Sequence, residues 1–299
     1  MFLVNTRQRE EDGTFGHGRL NKGEYGVYKI SKKSDGGEAE EKTLQDVPVD
    51  KDTLLLVHGF NNDFIEVTAA YLNFAKRVHN AGFNGNVIGF TWPSYGEWSQ
   101  YFGDREQVEY ASFAFLNFVL KYRPLLAGQK FHINTHSMGA HLVIRALAAY
   151  SRIDAIAAPQ PGKCLIDELI FFAADVDNEI LEKGEDGNHA AAEAARLTSY
   201  FSYKDPVLSI SQIVNHDDRL GLGGAERPRR LPKNAFQIDC ATLIESHSGY
   251  RDSADVMDDV AEVLNGKLAD QIAGRRASQD KNTFAIGPEE EQEDEDFDE

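Results

Sequence analysis

The sequence contains little cysteine, and this scarcity excludes a fold held together by disulfides. Cys164 and Cys240 are the two cysteines in 299 residues, whereas small secreted domains built on disulfides carry several pairs. A reducing compartment, the cytoplasm, is therefore expected. The opening residues, MFLVNTRQRE, contain neither a basic leader nor a long apolar core, so we expect no signal peptide.

Long apolar stretches and clusters of positive charge are also missing. No run approaches the roughly eighteen apolar residues of a membrane-spanning helix, so stable membrane insertion is not expected. The net charge is −18, and half of it comes from the last eleven residues, Glu289–Glu299, nine of which are carboxylates. Nucleic acid is not an expected partner, because phosphate contacts require clustered Lys and Arg. The basic stretch Arg227–Arg230 is interpreted as a solvated loop.

The sequence also lacks the patterns that hold metals or phosphates. Asp175, Asp177, Asn178 and Glu179 form an oxygen-rich group, but it has neither the spacing nor the central glycine of a calcium loop. A glycine-rich phosphate-binding loop is absent as well. The sequence therefore predicts no metal site and no cofactor.

What the sequence does contain is an alternation of apolar strands and amphipathic helices. Hydrophobic residues make up 41% of the chain and aromatic residues 10%, as expected for a globular protein. Strands are predicted at 1–5, 25–31, 53–57, 87–92, 131–133, 168–174, 197–203 and 235–238. Helices are predicted at 64–78, 105–122, from about residue 140 to 150, at 190–195 and at 256–264. This order predicts an α/β protein with a mostly parallel central sheet and helices on both faces, a three-layer sandwich. Residues 1–272 form the predicted domain, and residues 273–299 a disordered acidic tail.

The stretch 131–150, FHINTHSMGAHLVIRALAAY, has the pattern of a nucleophile elbow. A strand, a tight turn with a central serine and a helix follow one another, which places the serine hydroxyl at a helix N-terminus. Gly139 occupies the second glycine position of G-x-S-x-G, but Thr135 replaces the first glycine. The alternative is that Ser137 only caps the helix. The spacing of small residues favours Ser137 as a nucleophile.

A serine nucleophile needs a base, and the base needs an acid that orients it. In this type of fold the acid and then the histidine follow the serine along the chain. His247 is the predicted base because it follows the last strand in a loop of small residues, with His216 as the alternative. Asp205 is the predicted acid because it directly follows the strand at 197–203, with Asp175 second and Asp177 third.

The oxyanion formed during catalysis needs two N–H donors. One is expected from Met138, directly after the nucleophile, and the other from Phe60 or the neighbouring Asn61 in the loop after the strand at 53–57. His58 is expected to brace this loop. Aromatic residues near the strand ends either line a substrate pocket or pack as a cap over the sheet: Trp92, Tyr95, Trp98 and Tyr101.

Several ordered motifs together resemble an α/β-hydrolase family of unknown function. They are NTR and FGHGRLNKGEYG near the start, then LLLVHGFNND, FTWPSYG with the following YFGDRE, INTHSMGAHL, FFAADVD, SYKDPVL and SHSGY, and they extend over most of the chain, from about Met1 to Tyr250. The resemblance implies the three-layer hydrolase fold and a triad of Ser137, Asp205 and His247. It implies a serine hydrolase without a defined substrate.

The expected function is therefore hydrolysis of a carboxylic ester through an acyl-enzyme, with a small-molecule ester or acyl compound as substrate. An amidase or a thioesterase has the same triad, because the triad does not select the leaving group. A binding protein on a hydrolase fold that has lost turnover is the alternative from another class. The sequence does not define the oligomeric state.

Overall fold

The computed structural model describes residues 1–33, 35–60, 62–94, 101–156 and 164–289, without the side chains of 101–105 and 154–156. Within these residues the strands are β1 (Phe2–Asn5), β2 (Arg7–Arg9), β3 (Phe15–Arg19), β4 (Gly26–Lys29), β5 (Glu40–Lys42), β6 (Thr53–Val57), β7 (Asn86–Thr91), β8 (Phe131–His136), β9 (Ile166–Phe172), β10 (Ala194–Phe201), β11 (Ala235–Asp239), β12 (Arg276–Ala277) and β13 (Thr283–Ala285). The α-helices are α1 (Phe64–Asn80), α2 (Tyr101–Tyr122), α3 (Met138–Ile156), α4 (Asp186–Ala192), α5 (Pro206–Asn215), α6 (Leu220–Gly223) and α7 (Ala254–Leu264). Short 3₁₀ turns include Gly249–Arg251.

One large sheet organises the described part of the chain. Its strand order is β12-β13-β11-β10-β9-β8-β6-β7-β1-β4-β5, and a separate ribbon pairs β2 with β3. All neighbours from β13 to β1 pair in parallel. Antiparallel pairs occur at the two edges, where β12 meets β13 and where β4 joins β1 and β5. The predicted mostly parallel sheet is confirmed.

Strand β6 shows why the sheet has helices on both faces. All five of its residues are buried. Leu54 and Leu56 belong to one apolar cluster, with residues of α1 and α7. Leu55 and Val57 belong to a second cluster, with residues of α2, α3 and α4. Because successive side chains of a strand point to opposite faces, a continuous apolar run must be covered on both sides. The predicted three-layer α/β architecture is confirmed.

The structure has a helix that begins at Asp205-Pro206, where the sequence analysis predicts none. Asp-Pro after a strand is also a turn signal. In the structure Asp205 is the N-cap of α5 and Pro206 is its first residue. Aspartate accepts backbone N–H groups at a helix start, and proline suits the first helical position because it has no N–H to satisfy. The same two residues that favour a turn therefore also begin a helix.

The C-terminal boundary is a correction to the sequence analysis. The sequence predicts a disordered tail from residue 273, but β13 pairs in parallel with β11 and continues the sheet. Arg275 donates to both carboxylate oxygens of Asp259, at 2.7 Å each, and Asp259 also accepts from the Tyr200 hydroxyl at 2.5 Å. A buried ion pair thus anchors a segment whose composition is poor in apolar residues. Residues 290–299 lie outside the described residues.

Candidate active site

Ser137 lies in the sharp turn between β8 and α3. Its φ is +53°, in the left-handed region that residues other than glycine seldom adopt. Its N–H donates to the carbonyl of Phe172 at 2.9 Å, and its carbonyl accepts from the N–H of Asp175 at 3.3 Å. Bonds from the neighbouring strand end therefore hold a strained backbone in place, as a nucleophile elbow requires.

Two glycines allow the loop after β6 to lie directly against this turn. A β-carbon on Gly59 would lie 2.7 Å from the β-carbon of Ser137, and one on Gly139 would lie 2.6 Å from the carbonyl oxygen of His58. Both distances are too short for ordinary van der Waals contact. Thr135, which replaces the first glycine of the motif, is fully buried within β8.

Asp205 and His247 form a direct contact at the same edge of the sheet. Asp205 Oδ2 lies 2.8 Å from His247 Nδ1, and Oδ1 accepts from the N–H groups of Val207 and Leu208 at 2.9 and 3.1 Å. A carboxylate only accepts hydrogen bonds, so His247 Nδ1 carries the proton. The other ring nitrogen, Nε2, is then the one with a lone pair that can take a proton.

Ser137 and His247 line one cavity of about 230 Å³. Phe60 and Val207 form part of its wall, together with Asp175 and Arg251. Asp175 was the second candidate for the acid. Its Oδ1 accepts from the Ser211 hydroxyl at 2.6 Å and lies 3.8 Å from Arg219 Nε, whereas the carboxylate that contacts His247 is that of Asp205.

His136 connects the turn at Ser137 to the loop that contains His247. Its Nε2 donates to the carbonyl oxygen of His247 at 2.8 Å, and the two ring centres lie 4.6 Å apart. Burial, with a smaller contribution from His247, lowers the pKa of His136 well below its ordinary value of 6.5, so the ring stays neutral. The sequence pattern does not single out His136, because the position before the serine in the elbow motif can hold any residue type.

His58 holds the loop that contains Phe60 through two hydrogen bonds of its ring. The Nδ1 of His58 donates to the carbonyl of Gly59 at 2.8 Å, and its Nε2 accepts from the N–H of Trp92 at 3.1 Å. Burial, followed by the charge of Arg7, lowers the pKa of His58 to about 3. Arg7 also donates to the carbonyl of Asn62 at 2.8 Å. A neutral imidazole and a buried arginine therefore hold the loop, as the sequence analysis expected of His58.

Of the four aromatic residues that were candidates for a substrate pocket, the structure describes the side chain of Trp92 alone. Trp92 is fully buried and stacks on His58 with ring centres 5.2 Å apart. None of the described residues that line the Ser137 cavity is Trp92, so its position is that of a packed residue under the loop. Tyr95 and Trp98 lie outside the described residues, and so does the side chain of Tyr101.

The remaining candidates also have defined places. Met138 is the buried first residue of α3, and Asn61 lies outside the described residues. His216, the alternative base, ends α5 with a left-handed φ of +59°. The described residues that line the Ser137 cavity do not include it. Asp177 pairs with Arg219 at 2.7 Å.

Charged and apolar groups elsewhere in the described residues form no metal site and no membrane-spanning helix. In the described part of the chain, no group of three or more His, Cys, Asp or Glu side chains could hold a metal ion. No described helix has the length and hydropathy needed to cross a membrane. In the basic stretch, Arg227 pairs with Glu179 and Glu182, and Arg230 also pairs with Glu182.

The parallel sheet and the elbow at the carboxyl ends of its strands define an α/β hydrolase. A family model described as alpha/beta hydrolase of unknown function (DUF900) matches residues 37–251. The chain therefore belongs to this family, as the sequence motifs indicated. The comparison with curated proteins found no match.

Solved structures with similar folds share little sequence with this chain. Est1E from Butyrivibrio proteoclasticus is 12% identical with a TM-score of 0.42, over 80% of this chain and 95% of that one. The RedJ thioesterase of the prodiginine biosynthetic pathway in Streptomyces coelicolor is 12% identical with a TM-score of 0.40, over 74% and 92%. Esterase B from Lactobacillus rhamnosis is 10% identical with a TM-score of 0.42, over 89% and 85%.

Proposed function

We propose that this protein is a serine hydrolase that cleaves a carboxylic ester of a small molecule through an acyl-enzyme. Ser137 is the nucleophile, His247 the general base and Asp205 the acid that orients the imidazole. The observation that carries the proposal is the 2.8 Å contact between His247 Nδ1 and Asp205 Oδ2, made at the cavity that Ser137 also lines. This contact leaves the unprotonated Nε2 of His247 as the atom that can take the serine proton.

In the first half of the reaction Ser137 Oγ attacks the ester carbonyl carbon, and its proton moves to His247 Nε2. The carbonyl oxygen becomes negatively charged in the tetrahedral intermediate. The backbone N–H groups of Met138 and Phe60 stabilise this oxyanion. Two observations support Phe60 as an oxyanion donor. It lines the cavity of Ser137, and Gly59 allows its loop to pack closely against the serine.

Collapse of the intermediate breaks the bond to the leaving alkoxide, which takes the proton from His247, and the acyl group stays on Ser137. Water then attacks the acyl-enzyme by the same route in reverse, with His247 Nε2 again taking and returning a proton. Asp205 stays ionised and stabilises the imidazolium that forms twice in the cycle. Apart from the substrate and the hydrolytic water, every step of this reaction uses groups of the chain itself.

A fluorophosphonate probe tests the nucleophile, because it forms a covalent bond with an activated serine. The wild type should be labelled and Ser137→Ala should not. Ser248→Ala is the matched control, since Ser248 lines the same cavity, and it should be labelled like the wild type. Equal labelling of Ser137→Ala and wild type would refute the assignment.

The leaving group is tested separately, because the same triad serves esters, thioesters and amides. One acyl chain should be offered as a p-nitrophenyl ester, a thioester and an anilide, and we expect the ester to give the highest kcat/KM. A higher value for the thioester or the anilide would reassign the reaction. No turnover of a panel of p-nitrophenyl esters of increasing acyl length, with no labelling by the probe, would favour a binding protein instead.

Both cysteines are free thiols, which supports the cytoplasm as the location.

A further inference from the structure

A second, smaller cavity adjoins the one that Ser137 lines. Its volume is about 40 Å³, and it shares part of its lining with the Ser137 cavity, including His136 and Arg251. It extends between β6, β8 and α1, where Leu56 and Phe74 give it apolar walls. One water needs roughly 10–15 Å³ of such volume, so the cavity admits a group of a few non-hydrogen atoms.

Arg251 brings a positive charge to both cavities. Its side chain is partly buried, and burial lowers its pKa from the ordinary value. In the described part of the chain, no hydrogen bond or ion pair is formed by this guanidinium. The adjacent carboxylate, Asp252, instead pairs with Arg77 at 3.2 Å. The charge of Asp252 raises the pKa of Arg251, but by less than burial lowers it. A guanidinium removed from water without a hydrogen-bonded carboxylate is costly, and it is suited to recognise an anion.

Two further polar groups in the small cavity have no partner among the described residues. Asn134 is 4% exposed and its Nδ2 is unpaired; Tyr250 is fully buried and its hydroxyl is unpaired. Most buried polar groups in proteins are hydrogen-bonded, so two unpaired ones beside an unpaired guanidinium need an explanation. All three groups can donate hydrogen bonds, and the guanidinium can only donate because it has no acceptor atom.

We infer that this cavity binds a carboxylate of the substrate, with Arg251 as its counter-ion and Asn134 Nδ2 and the Tyr250 hydroxyl as further donors. The inference rests on the proposed function, because it places the ester carbonyl at Ser137 and the free carboxylate beyond His136. A single guanidinium matches a single negative charge and binds a planar carboxylate through two parallel N–H groups. The substrate class is then the half-ester of a dicarboxylic acid.

The charge of the carboxylate that lines the Ser137 cavity is consistent with this orientation. Asp175 lies in the Ser137 cavity, but it accepts from Ser211 at 2.6 Å and lies 3.8 Å from Arg219. Its charge is therefore compensated where it lies. Arg251 is the cationic side chain that lines both cavities.

The test uses two esters that differ in one charge. Mono-4-nitrophenyl adipate carries a free carboxylate, and methyl 4-nitrophenyl adipate has the same acyl chain with that carboxylate esterified. We expect the wild type to hydrolyse the charged ester with a kcat/KM at least tenfold higher than that of the neutral one. Arg251→Met should remove this preference and leave the neutral ester within about threefold, since an Arg–carboxylate pair discriminates by charge. Tyr250→Phe, which removes a hydroxyl without a protein partner, should reduce the preference only partly.

Arg229→Met is the matched control, because it removes the same charge from an exposed arginine that lines neither cavity, and it should keep the full preference. Equal rates of the two esters in the wild type, or an equal loss of both in Arg251→Met, would overturn the inference while labelling of Ser137 still supports the hydrolase. Calorimetry with the Ser137→Ala variant measures binding of the ester without its hydrolysis, so it tests the role of Arg251 separately from catalysis. Mono-4-nitrophenyl adipate should bind at least tenfold more weakly when Arg251→Met is added. Tighter binding of inorganic phosphate than of the adipate would refute the choice of a carboxylate.

Discussion

Three buried histidines should make the protein sensitive to mild acid. In an unfolded chain an imidazole takes up a proton as the pH falls through its ordinary pKa of 6.5. In the folded chain burial, with smaller contributions from Arg7 for His58 and Lys130 for His132, lowers the pKa of each to about 3. Burial also holds the pKa of His136 well below 6.5. Between these values the unfolded state binds more protons, so falling pH favours unfolding.

The size of the effect follows from the linkage between pKa and stability. One pKa unit corresponds to about 1.4 kcal/mol, so His58 and His132 should each lower the free energy of unfolding by roughly 2 kcal/mol between pH 7 and pH 5, and His136 acts in the same direction. His58 and His132 together remove on the order of 4 kcal/mol, which is a large part of the stability of about 5–15 kcal/mol of a typical domain. We therefore expect acid unfolding to begin near pH 5.

The measurement is urea unfolding at pH 7.5, 6 and 5. His132→Leu isolates one ring, because His132 is fully buried and neither of its nitrogens has a hydrogen-bond partner among the described residues. We expect this variant to recover about 2 kcal/mol at pH 5 relative to wild type, beyond any gain at pH 7.5. His79→Gln changes an exposed histidine and should follow the wild-type pH dependence. A wild-type stability that is flat from pH 7.5 to 5, or parallel curves for wild type and His132→Leu, would refute the reasoning.

Three further predictions concern the machinery around the serine. Asp205→Asn should lower kcat by roughly 10⁴-fold, because an amide at the Oδ2 position favours the wrong tautomer of His247; a loss under tenfold would remove Asp205 from its proposed role. His136→Phe, which deletes the donor to the His247 carbonyl, should lower kcat by on the order of 10²-fold with KM little changed. His136→Gln should restore part of that loss, and equal effects of Phe and Gln would argue for packing alone. Gly139→Ala should lower the free energy of unfolding by about 1–3 kcal/mol, because its β-carbon would overlap the carbonyl of His58, and an unchanged urea midpoint would contradict that overlap.

The parts of the fold that the sequence predicts are those with strong local patterns. The apolar run Thr53–Val57 could only be a strand covered on both faces, and the alternation of such strands with helices predicted the parallel sheet. The helix at Pro206 was not predicted, since Asp-Pro favours a turn and a helix start equally well. The strand Thr283–Ala285 was not predicted either, because pairing with β11 and the ion pair of Arg275, rather than a local apolar pattern, hold it in place.

The residues of the candidate site also divide into those that the sequence predicts and those that only the fold identifies. Ser137, Asp205 and His247 could be proposed from sequence because each follows a strand or belongs to a turn of small residues. His136 and Arg251 could not, since their importance depends on contacts with groups more than one element away. Trp92 was a candidate for the pocket because aromatic residues cluster near the strand ends, but only the fold shows that its ring stacks beneath the loop on His58.

The ion pair between Arg275 and Asp259 has a practical consequence for work with this protein. A chain shortened at residue 272, where composition suggests a natural end, would leave the Asp259 carboxylate buried under Tyr200 without its cation. Removing one partner of such a pair costs about 3–5 kcal/mol, so the shortened protein should express poorly even though every residue around Ser137 is retained. Affinity tags are therefore better placed at the other end, and trimming for crystallisation should stop after Ile286.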